Sequence, residues 1–262
     1  MLDTSASKGV RFVSGLRRMS NSILIGLSQQ TVLRQHMDIV ANNLANLGTT
    51  SYKAETPLFE DYLLDAEKGD ADEATLHFVR DYGIFRDLGQ GKFQTTDRPL
   101  DIAVNGMGYL VVETGAGERY MRGGSFRLDA DGQIVTPGGD PLLGDNGRPV
   151  RVDGNNTDLT IAKDGTISGG AGIVGRLQVV EFDNDHALRK AGEGLYTTDE
   201  IPQPTDRVEL LQGMLESSNV EPIIEMTKLI QISRAYASAS KLMEASGDLT
   251  RRAVQTLGRT QG

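Results

Sequence analysis

Cysteine and tryptophan are absent from this 262-residue chain, histidine occurs three times, and aromatic residues make up only 5%. Without thiols there can be no disulfide, no cysteine nucleophile and no zinc or iron–sulfur site built on thiolates. Positive charge is also short: 27 Lys and Arg stand against 36 Asp and Glu, a net charge of −9. Nucleic acid is therefore not an expected partner, because phosphate contacts need a positive surface. No apolar run reaches the roughly 18 residues that span a bilayer, so direct membrane insertion is not expected. Residues 1–20 carry Lys8, Arg11, Arg17 and Arg18. They lack the apolar run of about 7 residues that a Sec signal peptide requires, so export without one is expected. Met19 stands just before the first patterned residues, and residues 1–20 read as a tail or as an extension upstream of the true start.

Chemistry is suggested in three places and fails in each. Gly170-Ala-Gly172-Ile-Val-Gly175 has the G-x-G-x-x-G spacing, but a dinucleotide site needs that motif to open a helix, and a strand-like segment follows. Asp129-Ala-Asp131-Gly132 hints at a calcium loop, yet Gln133 and Asp140 fall at its fifth and twelfth positions, so a hairpin is expected instead. His36, His77 and His186 are isolated and have no partner at ligand spacing. No G-x-S-x-G elbow occurs. The expectation is a protein that is not an enzyme and has no catalytic, cofactor-binding or metal site.

What the chain has is periodicity. Ile23, Gly26, Gln30, Leu33, Met37, Val40, Leu44 and Leu47 repeat at alternating spacings of 3 and 4, the heptad pattern of a paired helix. A second stripe runs Met226, Leu229, Ile232, Tyr236, Ala239, Met243, Ser246, Thr250, Ala253, Leu257, with Pro222 suited to the first turn. From about residue 80 to 205 the period becomes 2, with Asp131-Gly132 and Asp164-Gly165 as hairpin turns among the 31 glycines. The predicted fold class is α+β: long N- and C-terminal helices forming a coiled-coil-like axial domain, with a central antiparallel all-β domain. The predicted divisions are a tail at 1–20, an N-terminal axial helix at 21–50, a transition segment at 51–80, the β domain at 81–205 and a C-terminal axial helix at 206–262. Helices at both ends and no chemistry in the middle suit an assembly subunit. A β-rich binding module that oligomerises through its helices, or an enzyme with helical arms, is the alternative.

Met37-Asp-Ile-Val-Ala-Asn-Asn-Leu-Ala-Asn-Leu-Gly-Thr-Thr-Ser-Tyr-Lys53 resembles the N-terminal signature A-N-N-L-A-N-x-x-T-x-G-[YF]-K of bacterial flagellar rod and hook proteins. Here Ser51 stands where glycine is usual, and Gly48 where asparagine is common. Gly213-Met-Leu-Glu-Ser-Ser-Asn-Val220 resembles the C-terminal signature G-x-L-E-x-S-N-V. Asn219-Val-Glu-Pro222 and the Ser20–Leu27 opening look more like proximal than distal rod proteins. The resemblance implies a structural subunit of the flagellar basal-body rod crossing the periplasm. Its implied partners are other copies of itself, other rod proteins and the flagellar type III export apparatus. Export in an unfolded state fits both the missing Sec signal and the missing cysteines. The implied assembly interface comprises Leu33, Met37, Val40, Asn42, Asn43, Leu44, Asn46 and Leu47 on the first helix. From the C-terminal part it takes Leu215, Asn219, Val220, Met226, Leu229, Tyr236 and Met243. Asn42, Asn43 and Asn46 would bond between subunits and fix register, and Asn219 would cap the helix that follows.

Overall fold

The computed structural model describes residues 5–64, 76–152, 159–170 and 172–259. They form two compact units. The first takes the chain up to Leu44, then Glu55–Phe85, then the chain from Pro222. The second takes Ala45–Ala54 and Arg86–Glu221.

The first unit holds two long helices, α1 (Ser5–Ala45) and α2 (Pro222–Arg259), and an antiparallel pair, β1 (Glu55–Leu64) with β2 (Leu76–Arg86). The predicted fold class needs correction here. Among the described residues there are two α-helices and many antiparallel strands, and the terminal helices do not make a coiled coil. Among the described residues only Val40 and Asn43 on α1, and Glu225, Ile232 and Ala239 on α2, are buried. Leu33, Met37, Leu44, Leu229, Tyr236 and Met243 are half-buried, and Met226 is exposed. A heptad seam needs apolar knobs sustained at every a and d position. Here two of the buried side chains are polar, and the inner face of α2 is thinned by Ala239, Ser240, Ser246 and Gly247. The helices touch through a polar link, Gln30 Nε2 donating to Ser240 Oγ at 2.7 Å, and through Gly26, where an added Cβ would lie 2.9 Å from Met243.

Among the described residues the second unit carries the remaining strands, all antiparallel, divided among five sheets. Two of them were expected to be helix: β17 (Glu209–Gln212) and β18 (Met214–Glu216) precede α2, which starts only at Pro222. β17 pairs with β4 (Asp101–Asn105), which pairs with β7 (Gly123–Ser125), and β18 pairs with β3 (Phe93–Thr95). The largest sheet orders β14 (Arg189–Gly192), β15 (Leu195–Thr197), β6 (Gly117–Met121), β5 (Tyr109–Thr114), β13 (Val179–Glu181) and β16 (Gln203–Pro204). β8 (Arg127–Leu128) pairs with β9 (Ile134–Val135), and β10 (Thr160–Ile161), β11 (Thr166–Gly169) and β12 (Gly172–Arg176) complete the set.

β5 shows why the unit folds. Successive strand residues face opposite sides. Leu110 and Val112 enter one core with Ile102, Ile134, Leu142 and Leu210, while Tyr109 and Val111 enter a second with Tyr120, Phe182 and Tyr196. Both faces are covered, so the strand reads as an unbroken apolar run rather than an alternating one. The second core is held by edge-to-face rings: Tyr120 and Phe182 centroids lie 4.8 Å apart at 77°.

The two Asp-Gly sequences are hairpin turns. Asp129 Oδ1 accepts the Asp131 and Gln133 amides, which engages the carboxylate inside the β8–β9 turn. Asp164 Oδ1 accepts Thr166 N–H between β10 and β11. The glycine-spaced motif runs into β12, an edge strand, so no helix N-terminus stands there to meet a phosphate.

Candidate functional site

The two motif segments come together in the second unit. Residues 45–54 lead out of α1, and 213–221 lead into α2. They close on each other and on the segment Asp87–Lys92. Lys53 Nζ donates to Glu216 Oε1 at 2.6 Å and to the Gly89 carbonyl at 2.9 Å. Lys53 and Glu216 are 2% and 1% exposed, and they stand 163 positions apart in sequence. Glu216 Oε1 also accepts the Gly91 amide at 2.7 Å. The other oxygen, Oε2, lies 4.0 Å from Arg122 Nε, beyond hydrogen-bond reach, and neither atom has a hydrogen-bond partner. Burial pushes the Lys53 ammonium below its ordinary pKa, and the bond to Glu216 opposes that shift.

Asn219 closes the same junction. Its Oδ1 accepts Ala54 N–H at 2.7 Å, and its Nδ2 donates to the carbonyls of Asp87 and Gly89, both at 2.9 Å. Its own amide donates to Tyr52 O. This side chain therefore joins three segments and does not cap α2. Gly91 is required by closeness, since a Cβ there would collide with the Ser217 carbonyl oxygen. Ser51, whose amide donates to Glu216 O at 2.8 Å, sits at φ +55°. The left-handed conformation explains why the motif usually has glycine at this place. Tyr52 is buried with the Lys190 ammonium 4.0 Å above its ring.

Asp101 anchors the neighbouring strand. Burial pushes its carboxyl up, but hydrogen bonds from Ser125, Thr96 and Arg98 outweigh that and hold it below the usual range. Leu215, Leu47 and Asn46 are half-buried in this unit, Asn42 is exposed, and Val220 is buried. Asn46 accepts Thr49 Oγ1–H at 3.0 Å, shaping the turn that ends the helix.

In the first unit Asn43 has the central place. Its Nδ2 donates to Glu55 O at 2.8 Å and to Glu225 Oε2 at 3.1 Å, and its Oδ1 accepts Glu55 N–H at 3.0 Å. Glu225 Oε1 in turn accepts Lys228 Nζ at 2.6 Å. The pattern marked Met226 as the inward residue of this turn, whereas the inward one is Glu225, which the sequence could have flagged only through an amide partner across the unit. Asn43 thus bonds within its own chain.

Among the described residues no helix is long and apolar enough to cross a membrane, and no three His, Asp or Glu side chains group to hold a metal. The arrangement is a closure of backbone and charge, with no reactive group exposed at its centre.

Comparison with known proteins agrees with this picture. Residues 211–256 match a family described as the flagellar basal body rod FlgEFG protein C-terminal, and residues 103–169 match the flagellar hook protein FlgE/F/G D1 domain. A flagellar basal-body rod protein FlgF of Caulobacter vibrioides is 42% identical over 92% of this chain and 99% of its own length. The chain belongs to the flagellar basal-body rod protein family. Within that family, FlgF of Mesorhizobium japonicum is 29% identical over 92% of this chain and 99% of its own. FlgG of Bacillus subtilis is 30% identical over 88% and 97%. Both family matches fall on segments built above: the first begins in β17 and runs through Glu216 and Asn219 into α2, and the second spans β4 to β11.

Proposed function

We propose that this chain is a structural, non-catalytic subunit of the bacterial flagellar rod, of the FlgF type, in the proximal part of the rod. The observation that carries it is the 42% identity to a FlgF protein across 99% of that protein's length. The weaker identity to FlgG proteins, 30% at Bacillus subtilis, makes a distal-rod subunit the second reading. Subunits of this kind repeat by a heterologous contact that does not close, which generates a helix rather than a ring. Such an assembly passes torque without turnover. The partners are further copies of this chain, other rod proteins and the export apparatus, and the place of action is the basal body where it crosses the periplasm.

The helices of the first unit are the proposed assembly surface. Ile223, Ile230, Leu242 and Leu249 on α2, together with Leu24 and Leu27 on α1, are exposed apolar side chains. Met226 belongs to the same exposed set. Electron microscopy of basal bodies from a clean deletion strain tests the proposal. Truncated axial structures without distal rod and hook, rescued by the gene, support it. Intact hooks and normal swimming overturn it.

A further inference from the structure

Lys53, Glu216 and Asn219 sit in the two motif segments, and every bond that defines their junction lies within one chain. The pairing has an unusual logic. A buried ammonium is tolerated only beside a counter-charge, and removing one partner of a buried pair leaves the other uncompensated. Lys53 takes its counter-charge from a residue 163 positions later. The same carboxylate oxygen holds the Gly91 amide, and Asn219 holds the Ala54 amide and two carbonyls of the segment between Arg86 and Gln90. Three stretches distant in sequence are therefore joined by these side chains together with backbone bonds, among them Ser51 N–H to the Glu216 carbonyl, Asn219 N–H to the Tyr52 carbonyl and the short ladder of β18 on β3. None of these three residues belongs to the apolar cores around β5, although β18 packs against β4, which supplies Ile102 and Val104 to the first of them.

We propose that Lys53, Glu216 and Asn219 form an intrachain clasp that opens and closes as one cooperative unit apart from the strand core, and that closes only when the C-terminal motif has reached the N-terminal one. Until residues 214–219 dock, Lys53 lacks its carboxylate, Gly91 and Ala54 lack their acceptors, and the segments leading to both helices stay open. The clasp explains, within a single chain, why a lysine at the end of one motif and a glutamate and an asparagine in the other accompany each other.

The test is amide hydrogen exchange on the full chain, wild type against Lys53→Met, Glu216→Gln and the double variant K53M/E216Q. The amides of Ser51, Ala54, Gly91 and Asn219 report the clasp, and those of Val111 and Val112 in β5 report the core. The clasp predicts that each single variant speeds exchange at all four reporter amides together by about tenfold or more, with β5 unchanged. It also predicts that the double variant, which removes both charges of the Lys53–Glu216 pair while Arg122 keeps its bond to the Gly108 carbonyl, recovers most of that protection at Ser51, Ala54 and Asn219. Unchanged reporters, reporters that respond separately, exchange that rises equally through β5, or a double variant whose effects merely add would each overturn the clasp.

Discussion

The side-chain amide of Asn43 brackets the backbone of Glu55, donating to its carbonyl and accepting from its N–H, at 2.8 and 3.0 Å. In effect one side chain on α1 serves as the strand partner for the first residue of β1. Asn43 is 1% exposed, so water cannot replace it. Asn43→Ala removes two hydrogen bonds to the Glu55 backbone and one to the Glu225 carboxylate, each worth about 0.5–1.5 kcal/mol and more for the bond to the charged group. The expected loss is about 3 kcal/mol, confined to the first unit. Thermal unfolding followed by helix content, together with amide spectra of β5, checks this. A variant that melts like wild type would show the bracket to be dispensable.

Asn43 also illustrates what the sequence could and could not reveal. The motif that contains it was legible, as were the hairpins at Gly132 and Gly165, because those signals are local. The packing of α1 and α2 was not. Alternating spacings of 3 and 4 describe one face of a helix but do not say what covers it, and a coiled coil was the simplest partner for each stripe. The structure places Glu225, not Met226, inward because a carboxylate can be buried once Asn43 and Lys228 reach it. Strands β17 and β18 were missed because Leu210, Leu211 and Leu215 are good helix formers, overridden by pairing with β4 and β3. The junction of Lys53 with Glu216 was beyond reach, since no spacing rule connects residues so far apart.

Ser51 holds φ +55° with a buried hydroxyl that has no hydrogen-bond partner. Both features destabilise, the backbone conformation alone by roughly 1–2 kcal/mol. Ser51→Gly is expected to raise the stability of the second unit by about 1 kcal/mol, because the relief in the folded state exceeds the added freedom of the unfolded chain. Ser51→Val should move it the other way by a larger amount. Denaturant midpoints for the two variants decide it. A destabilised glycine variant would mean that the hydroxyl has a role in the junction.

His36 lies on α1 with its pKa held below the ordinary 6.5, chiefly by burial and next by the Lys228 ammonium, while Glu225 pulls the other way. The folded imidazole binds its proton more weakly than the unfolded one. Its contribution to stability is therefore complete above 6.5 and is lost as pH falls through the folded value. The helix signal of wild type should melt at a lower temperature at about pH 5.5 than at about pH 7.5, and His36→Gln should remove part of that difference. An identical pH dependence in the two proteins would assign the effect to carboxylates instead.

Exposure separates side chains of α2 that hold the chain together from those available to another subunit. Ile232 is 6% exposed and Ile230 is 54% exposed, two positions apart on one helix. Ile232→Asp buries an unpaired charge and should destabilise the first unit by several kcal/mol, so that loss of motility in that variant says nothing about contacts between subunits. Ile230→Asp and Leu242→Asp change surface positions, where the expected shift in stability stays within about 0.5 kcal/mol. If the helices assemble the rod, these two variants fold, reach the export apparatus and fail to join the axial structure, giving non-motile cells with truncated basal bodies. Leu44→Asp, half-buried at the end of the proposed surface on α1, should leave the strand unit folded and likewise block incorporation. Swimming that stays normal in Ile230→Asp and Leu242→Asp, with the variant protein recovered in intact rods, would move the assembly contact off this face of α2 and onto the strand unit.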